Sequence, residues 1–421
     1  MISALSCFRW ILIVCLTSSI IIACSKSESG NPSEPPVSDT TSSSNKKNWR
    51  LDSTFVHTGT YVTMAAVQTD GKIVIGNPTS IGRINKNGSK DDTFPLLSAF
   101  GGEIKSICLQ PDGKLVVGGS FTGINSFNRK GLVRLNSNGT IDESFNSADI
   151  IDGEVRCVTI QGANRILVCG KFIFGYSADR KYAYANLACI KTNGEIDQTF
   201  NHYSYFVGTA TLSFNDFSYV KVIQDENIYI TGKSVSLSRG GKECRNVVKF
   251  SKDGLLDTSF CTNTGSLSYA VDPSVGYGTI VGANVLEVLN DGKVLVGGDF
   301  NNVGKEVWYC LIWLNPDGTL NTSVKKYGHG NVYSICIMPE NLFFLGEVFK
   351  NDRRSNSGGG FGLLKPDGEI DYSYDLSYPR GGDIYGIVKE SDNSVLVIGK
   401  LYAGMQNGEN IYKGMARIMR N

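Results

Sequence analysis

Apolar and polar positions alternate in short bursts along most of the chain, and the bursts keep a fixed order. In the clearest stretch, Ile104 to Gln110 runs into the break Pro111-Asp112-Gly113, and the apolar run Leu115-Val116-Val117 follows and closes on Gly118-Gly119. After a variable link, Leu132-Val133-Arg134-Leu135 meets a second break at Asn138-Gly139 and ends in Ile141-Asp142-Glu143-Ser144-Phe145. Short β-branched and aromatic runs between Gly, Asn and Asp pairs predict strands, and Asp-Gly and Asn-Gly supply the positive-φ residue of tight hairpins. The expected strands are Ile104–Gln110, Lys114–Phe121, Gly131–Asn136 and Thr140–Phe145. Glycines closing the second strand let neighbouring backbones approach.

This order occurs seven times. Its first half returns around Asp70-Gly71-Lys72, Asn164-Arg165, Glu226-Asn227, Asp291-Gly292-Lys293, Glu340-Asn341 and Asn393-Ser394, and Gly170, Gly232, Gly298, Gly346 and Gly399 close the runs that follow. Four short strands repeated every 40–65 residues or so are the signature of propeller blades. The predicted fold class is all-β, a seven-bladed β-propeller closed by the N-terminal strand. Leu51-Asp52-Ser53-Thr54-Phe55 reads as the last strand of a repeat, and Met415 to Asn421 as a third strand lacking its fourth. Joining the two would leave no free sheet edge. The recurrent Asp52, Asp142, Asp197, Asp257 and Asp371 each precede Ser or Thr by two residues. That spacing fits side chains locking a turn through nearby amides, and it lacks the oxygen-rich loop of a calcium site.

Asp112-Gly113-Lys114, Gly118-Gly119-Ser120-Phe121, Arg134-Leu135-Asn136 and Ile141 to Phe145 resemble the delta-60 propeller repeat, as does Asn290 to Leu320. The resemblance covers residues 50–421. It implies a fold common in bacterial surface and secreted proteins and assigns no activity. It fades in the fourth, sixth and seventh repeats, whose first turn lacks glycine, so irregular blades are expected there.

The N-terminal segment reads as an address. Arg9 precedes an apolar run from Ile11 to Ile22, and Ala23-Cys24 follows. This resembles a bacterial lipoprotein signal over residues 1–23, with diacylglycerol on the Cys24 thiol as membrane anchor. Residues 24–49 then form a Ser/Pro-rich tether too poor in apolar side chains to fold, and residues 50–421 the propeller. Signal and tether resemble those of Bacteroidota surface lipoproteins, which implies the outer membrane and a TonB-dependent receptor as partner.

Charge excludes one class of partner. Lys+Arg is 41 against Asp+Glu 40, so no basic excess points to nucleic acid. Of the 11 cysteines, Cys108, Cys157 and Cys336 sit in first strands and read as core residues. No Cys-x-x-Cys pair or Cys/His cluster predicts a metal, and no cofactor motif occurs. Cys244 and Cys261 flank the Ser251-Lys252-Asp253-Gly254 hairpin and are the candidate disulfide, an exported domain permitting one. His57, His202 and His329 are scattered, and no nucleophile elbow or metalloprotease motif appears. Glu154, Glu287 and Asp383 lie near the axis without forming an evident pair, so no enzyme is expected.

Loop length points to the working face. The turns from strand one to two and from three to four are short, while the links from two to three and between blades are long. Examples are Lys171–Asn186, Lys233–Asn246 and Lys400–Gly414. Binding residues concentrate on such loops. They carry Arg129, Arg180, Arg239, Lys242 and Arg353 beside Tyr182 and Trp308, and the starts of first strands bring Lys105, Arg156, Tyr333 and Tyr385 to equivalent positions. A cationic funnel with aromatic walls suits an anionic or aromatic small molecule. The leading expectation is a ferric catecholate siderophore, captured and passed to a TonB-dependent transporter. A scaffold binding another protein and a glycan-binding lipoprotein are the alternatives; lysine and arginine on exposed loops also simply confer solubility.

Overall fold

The computed structural model describes residues 13–15, 20–21, 49–57, 59, 61–145, 151–163, 165–174, 184–200, 216–239, 242–264, 267–268, 282–300, 302–303, 306–307, 310–324, 331–339, 342–346, 361–369, 382–406 and 409–420. It is an all-β architecture with one short helix, Thr258–Thr264, among the described residues.

The repeat folds as its pattern predicts, with shorter strands. Ile104–Leu109, Leu115–Gly119 and Leu132–Leu135 form one antiparallel sheet. Gly113 takes φ 83° in the first turn and Gly139 φ 88° in the second, the left-handed conformation that glycine adopts without a Cβ clash. The same sheet recurs as Ile151–Gln161, Arg165–Phe174 and Tyr184–Lys191, and as Asp216–Val222, Ile228–Arg239 and Lys242–Phe250. It recurs again from Gly282–Val288 to Leu311–Leu314, from Ser334–Met338 to Phe361–Leu364, and from Gly382–Ser391 to Glu409–Arg420. Where described, the fourth, sixth and seventh repeats keep the antiparallel order, with register shifts in the fourth at Thr231/Ser236 and in the seventh at Lys389/Ser391 and Ile398/Leu401. In the fourth repeat a non-glycine residue, Glu226, adopts the left-handed turn at φ 62°. In the seventh the expected irregularity appears beside the turn, between Lys389 and Ser391. The sixth repeat's turn at Glu340-Asn341 lies outside the described residues.

Three further expectations change. The fourth strand is reduced to a single bridge, as in Leu135↔Ile141 or Ile190↔Ile196, because the aspartate after it, Asp142 or Asp197, turns the chain. The long links of the third, fourth and seventh repeats are partly strand: Arg165–Phe174, Ile228–Arg239 and Ser394–Gln406 run on into two-stranded arms with their partners. Cys261 lies in the helix rather than opposite Cys244 in a hairpin, since Asp257 caps the amides of Ser259 and Phe260 at 3.1 and 3.0 Å and starts a helical turn. Cys261 is disulfide-bonded, and the side chain of Cys244 lies outside the described residues.

Trp49–Leu51 pairs antiparallel with Glu409–Arg420, in the register Trp49↔Arg420, Arg50↔Met419 and Leu51↔Ile418. The expected pairing segment was Leu51–Phe55; the strand sits earlier because Asp52 begins the capping turn. Two bonds with repeat-equivalent counterparts join the two ends of the chain. Val62 N donates to Gly399 O at 3.3 Å, as Val332 N does to Gly298 O at 3.2 Å. Arg417 Nη2 donates to Lys86 O in the first repeat's turn, as Arg134 Nη1 does to Thr192 O in the turn of the repeat after its own. Phe55, Val62, Ile73 and Ile84 pack with Val388, Leu396, Ile398 and Met415 in one buried cluster. Ile13–Cys15 runs parallel to Ile104–Leu109, and Ile20–Ile21 antiparallel to Ser334–Met338.

Candidate functional site

A register shift makes the site. The ladder slips by one residue between Ile104 and Ser106, Val155 and Cys157, Phe217 and Tyr219, Ala283 and Val285, and Ile384 and Gly386. The unpaired residue is Lys105, Arg156, Ser218, Asn284 or Tyr385, polar each time. A bulge leaves its extra residue out of the ladder and re-aims the side chain. Thr63 and Tyr333 hold the matching place, just ahead of the strands beginning at Met64 and Ser334. All of these side chains are buried.

The glycines that close the second strands make the bulge possible. A Cβ on Gly119, Gly170 or Gly399 would lie 2.1 Å from the carbonyl oxygen of Glu103, Glu154 or Asp383. No side chain fits there.

Buried charge demands a partner, and each finds one two residues earlier in the chain. Lys105 is 2% exposed, and its Nζ contacts Glu103 Oε2 and Glu154 Oε1, both at 3.0 Å. Arg156 Nη2 contacts Glu154 Oε2 at 3.2 Å. Burial alone would raise the Glu154 pKa; the charges of Arg156 and Lys105 outweigh it and hold the carboxyl below its usual range. Tyr333 Oη accepts from Asn331 Nδ2 at 2.7 Å, and Tyr385 Oη donates to Asp383 Oδ2 at 3.3 Å. Tyr61, 40% exposed, packs edge-on against Tyr385 with ring centroids 5.5 Å apart.

The axial residues named from sequence therefore share one structural position, but not as a cationic funnel. Lys105 and Arg156 meet on one carboxylate, because a lysine and an arginine cannot be buried side by side without one. Arg129 stands apart from this set; its Nη1 donates to Asn128 O at 3.0 Å. Arg239 and Lys242 face each other at the end of an arm, and their side chains, like Arg180, Tyr182, Trp308, Arg353 and the lipidation candidate Cys24, lie outside the described residues. Sequence reasoning missed Tyr61, Glu103 and Asn331. A polar residue two places before Thr63, Lys105, Arg156, Tyr333 and Tyr385 was the available signal.

The carboxylates considered for catalysis are also engaged: Glu154 as above, Asp383 by Tyr385, and Glu287 by Lys221 at 2.9 Å. Among the described residues no group of three or more His, Cys, Asp or Glu could hold a metal ion.

Strands, turns and repeat spacing define the chain as a β-propeller protein. Residues 110–145, 224–260 and 289–323, parts of three of the repeats, match the family model described as "Domain of unknown function (DUF5122) beta-propeller". The fold is similar to the extracellular domain of a one component system from B. thetaiotaomicron, with 12% identity and TM-score 0.51 over 89% of this chain and 40% of that one. It is likewise similar to the extracellular domain of a hybrid two component system from the same organism, with 12% identity and TM-score 0.51 over 88% of this chain and 39% of that one. A streptogramin B lyase structure aligns at 11% identity and TM-score 0.49 over 90% of this chain and all of its own. The chain thus spans about two fifths of the extracellular-domain chains it matches. These likenesses concern the fold alone. No curated protein matches the chain.

Proposed function

We propose that this chain is a non-catalytic, lipid-anchored binding propeller whose seven repeats close into a ring and whose axial mouth takes a polyhydroxylated solute, a glycan. One observation carries the ligand class: the mouth is built from buried donors and acceptors whose charges already balance, with an exposed tyrosine above them. Lys105 and Arg156 are compensated by Glu103 and Glu154. A trianionic ferric catecholate would have to displace those carboxylates. A sugar needs none displaced, since hydroxyls both donate and accept, and Tyr61 and Tyr385 offer ring faces and edges for C–H groups.

Ring closure is supported by the pairing of Trp49–Leu51 with the last strand and by Arg417 reaching Lys86 O. The anchor at Cys24 and delivery to a TonB-dependent receptor rest on the sequence of residues 1–49. Among the described residues no helix is long and apolar enough to cross a membrane.

Tyrosine-fluorescence and calorimetric titrations of the full chain, with a panel of neutral oligosaccharides and with ferric enterobactin, test the reading. An oligosaccharide is expected to bind, and Tyr61→Ala to weaken it by about tenfold, the scale of one stacked ring. Binding of ferric enterobactin with no sugar bound restores the siderophore reading. Silence from both transfers the face to a protein partner.

A further inference from the structure

The far end of the inner strands carries a cavity that the glycan reading does not use. Four residues on from Lys105, Arg156, Ser218, Asn284 and Tyr333 come Leu109, Ile160, Val222, Val288 and Ile337, aliphatic every time and only partly buried. They line a cavity of about 840 Å³, a volume ordinary for small-molecule sites.

Charges around it divide into two kinds. Lys221 and Glu287 pair in the wall at 2.9 Å, and Lys389 is engaged by Asp392 at 2.7 Å. Asp225 and Glu226, which also line the cavity, form no ion pair among the described residues; Asp225 accepts from the backbone and side-chain nitrogens of Asn227. Glu226 holds the turn position that Gly71, Gly113 and Gly292 occupy in other repeats, at φ 62° against their 81°, 83° and 81°. That left-handed backbone disfavours any side chain, and here it sets a carboxylate at the cavity edge. The Glu226 Oε1 lies 2.5 Å from where a Cβ on Gly162 would be, so the neighbouring turn has room for it only because it is glycine.

We propose that this cavity binds a small organic cation with an apolar body, the body against the aliphatic ring and the ammonium against Glu226 and Asp225. Charge complementarity selects the head group: the compensated pairs contribute no net charge, and the two unpaired carboxylates favour a cation.

The test compares three ligands with one tail. The full chain is titrated with 4-phenylbutylamine, 4-phenylbutanol and 4-phenylbutyrate, read by calorimetry and by saturation-transfer NMR against a protein-free blank. The amine is expected to bind one per chain, about tenfold tighter than the alcohol, and the carboxylate more weakly still. Glu226→Gly restores the residue the turn prefers, so its melting temperature should equal or exceed that of the native protein while the preference for the amine disappears. Val222→Trp should weaken all three ligands by filling the cavity. Equal affinity of native protein for amine and alcohol overturns the proposal. So does the absence of all binding, or an amine preference that survives in Glu226→Gly. None of these outcomes bears on the sugar titration.

Discussion

Asp142 shows how much one side chain does in this repeat. Its Oδ1 accepts from Ser144 N at 3.1 Å and Ser144 Oγ at 2.6 Å, which locks the turn. Its Oδ2 takes Lys114 Nζ at 2.8 Å and Arg134 Nε at 2.7 Å, and the Arg134 guanidinium lies over the Phe145 ring, 4.6 Å from its centroid. Burial would raise the carboxyl pKa; the bonds from Lys114, Ser144 and Arg134 outweigh it and lower it strongly. Because the folded pKa lies below the unfolded value near ~3.9, this contribution is complete above about pH 4 and is lost as the pH falls through the folded pKa. Asp142→Asn should therefore cost about 3 kcal/mol at pH 7, as for a broken buried pair, and distinctly less at pH 2. Urea melts of both proteins at the two pH values measure the difference. The turn lock was legible because its partners are two residues apart. The hold of Arg134 on Thr192 O was not, since that acceptor lies 58 residues on.

Within a blade, bulge and glycine form one device. Gly399→Ala should lower stability by about 2–3 kcal/mol, because its Cβ meets Asp383 O at 2.1 Å and overpacking of that kind forces the backbone to shift. Gly362→Ala, with nothing within 4 Å of its Cβ, should stay within about 0.5 kcal/mol. Paired thermal melts compare them. Hydrophobic alternation and Asn-Gly or Asp-Gly turns placed the first three strands within a residue or two, since side-chain period and positive φ are local constraints. The two-stranded arms escaped notice: residues 233–246 contain Ser, Gly, Lys and Arg in a loop-like mixture, and cross-strand pairing overrides it. The helix at Thr258–Thr264 was equally hidden, because Asp257-Thr258-Ser259-Phe260 repeats the motif that elsewhere makes only a turn. At the mouth, sequence identified the equivalent polar positions and missed their neutralisation. Charge sums over loops do not show which carboxylate faces which cation.

At the scale of the whole molecule, the two ends of the folded domain depend on each other. Deleting residues 49–55 removes the partner of Ile418–Arg420 and the Asp52 carboxylate, which lies 3.4 Å from Arg417 Nη1. The bared strand should pair with other copies, which light scattering would register as aggregation. If Cys24 carries the proposed anchor, Cys24→Ser should leave the protein in the soluble fraction or lengthened by residues 1–23, a distinction that fractionation and intact mass settle. The strand Trp49–Leu51 also determines how the domain bears load. A pull transmitted through residues 25–48 enters at Trp49, along the axis of a strand bonded sideways to Ile418–Arg420. Trp49 lies opposite Arg420 at one end of this antiparallel pair, so a pull between the two ends is an unzipping: the bonds open in turn, from Trp49↔Arg420 to Leu51↔Ile418, and the buried Trp49 ring is the first to leave. The pull at the Arg420 end loads the adjoining hairpin of residues 394–420 as well. In a force spectrometer with handles at the two ends, Trp49–Leu51 should peel from the last strand at low force, before the rest of the domain unfolds.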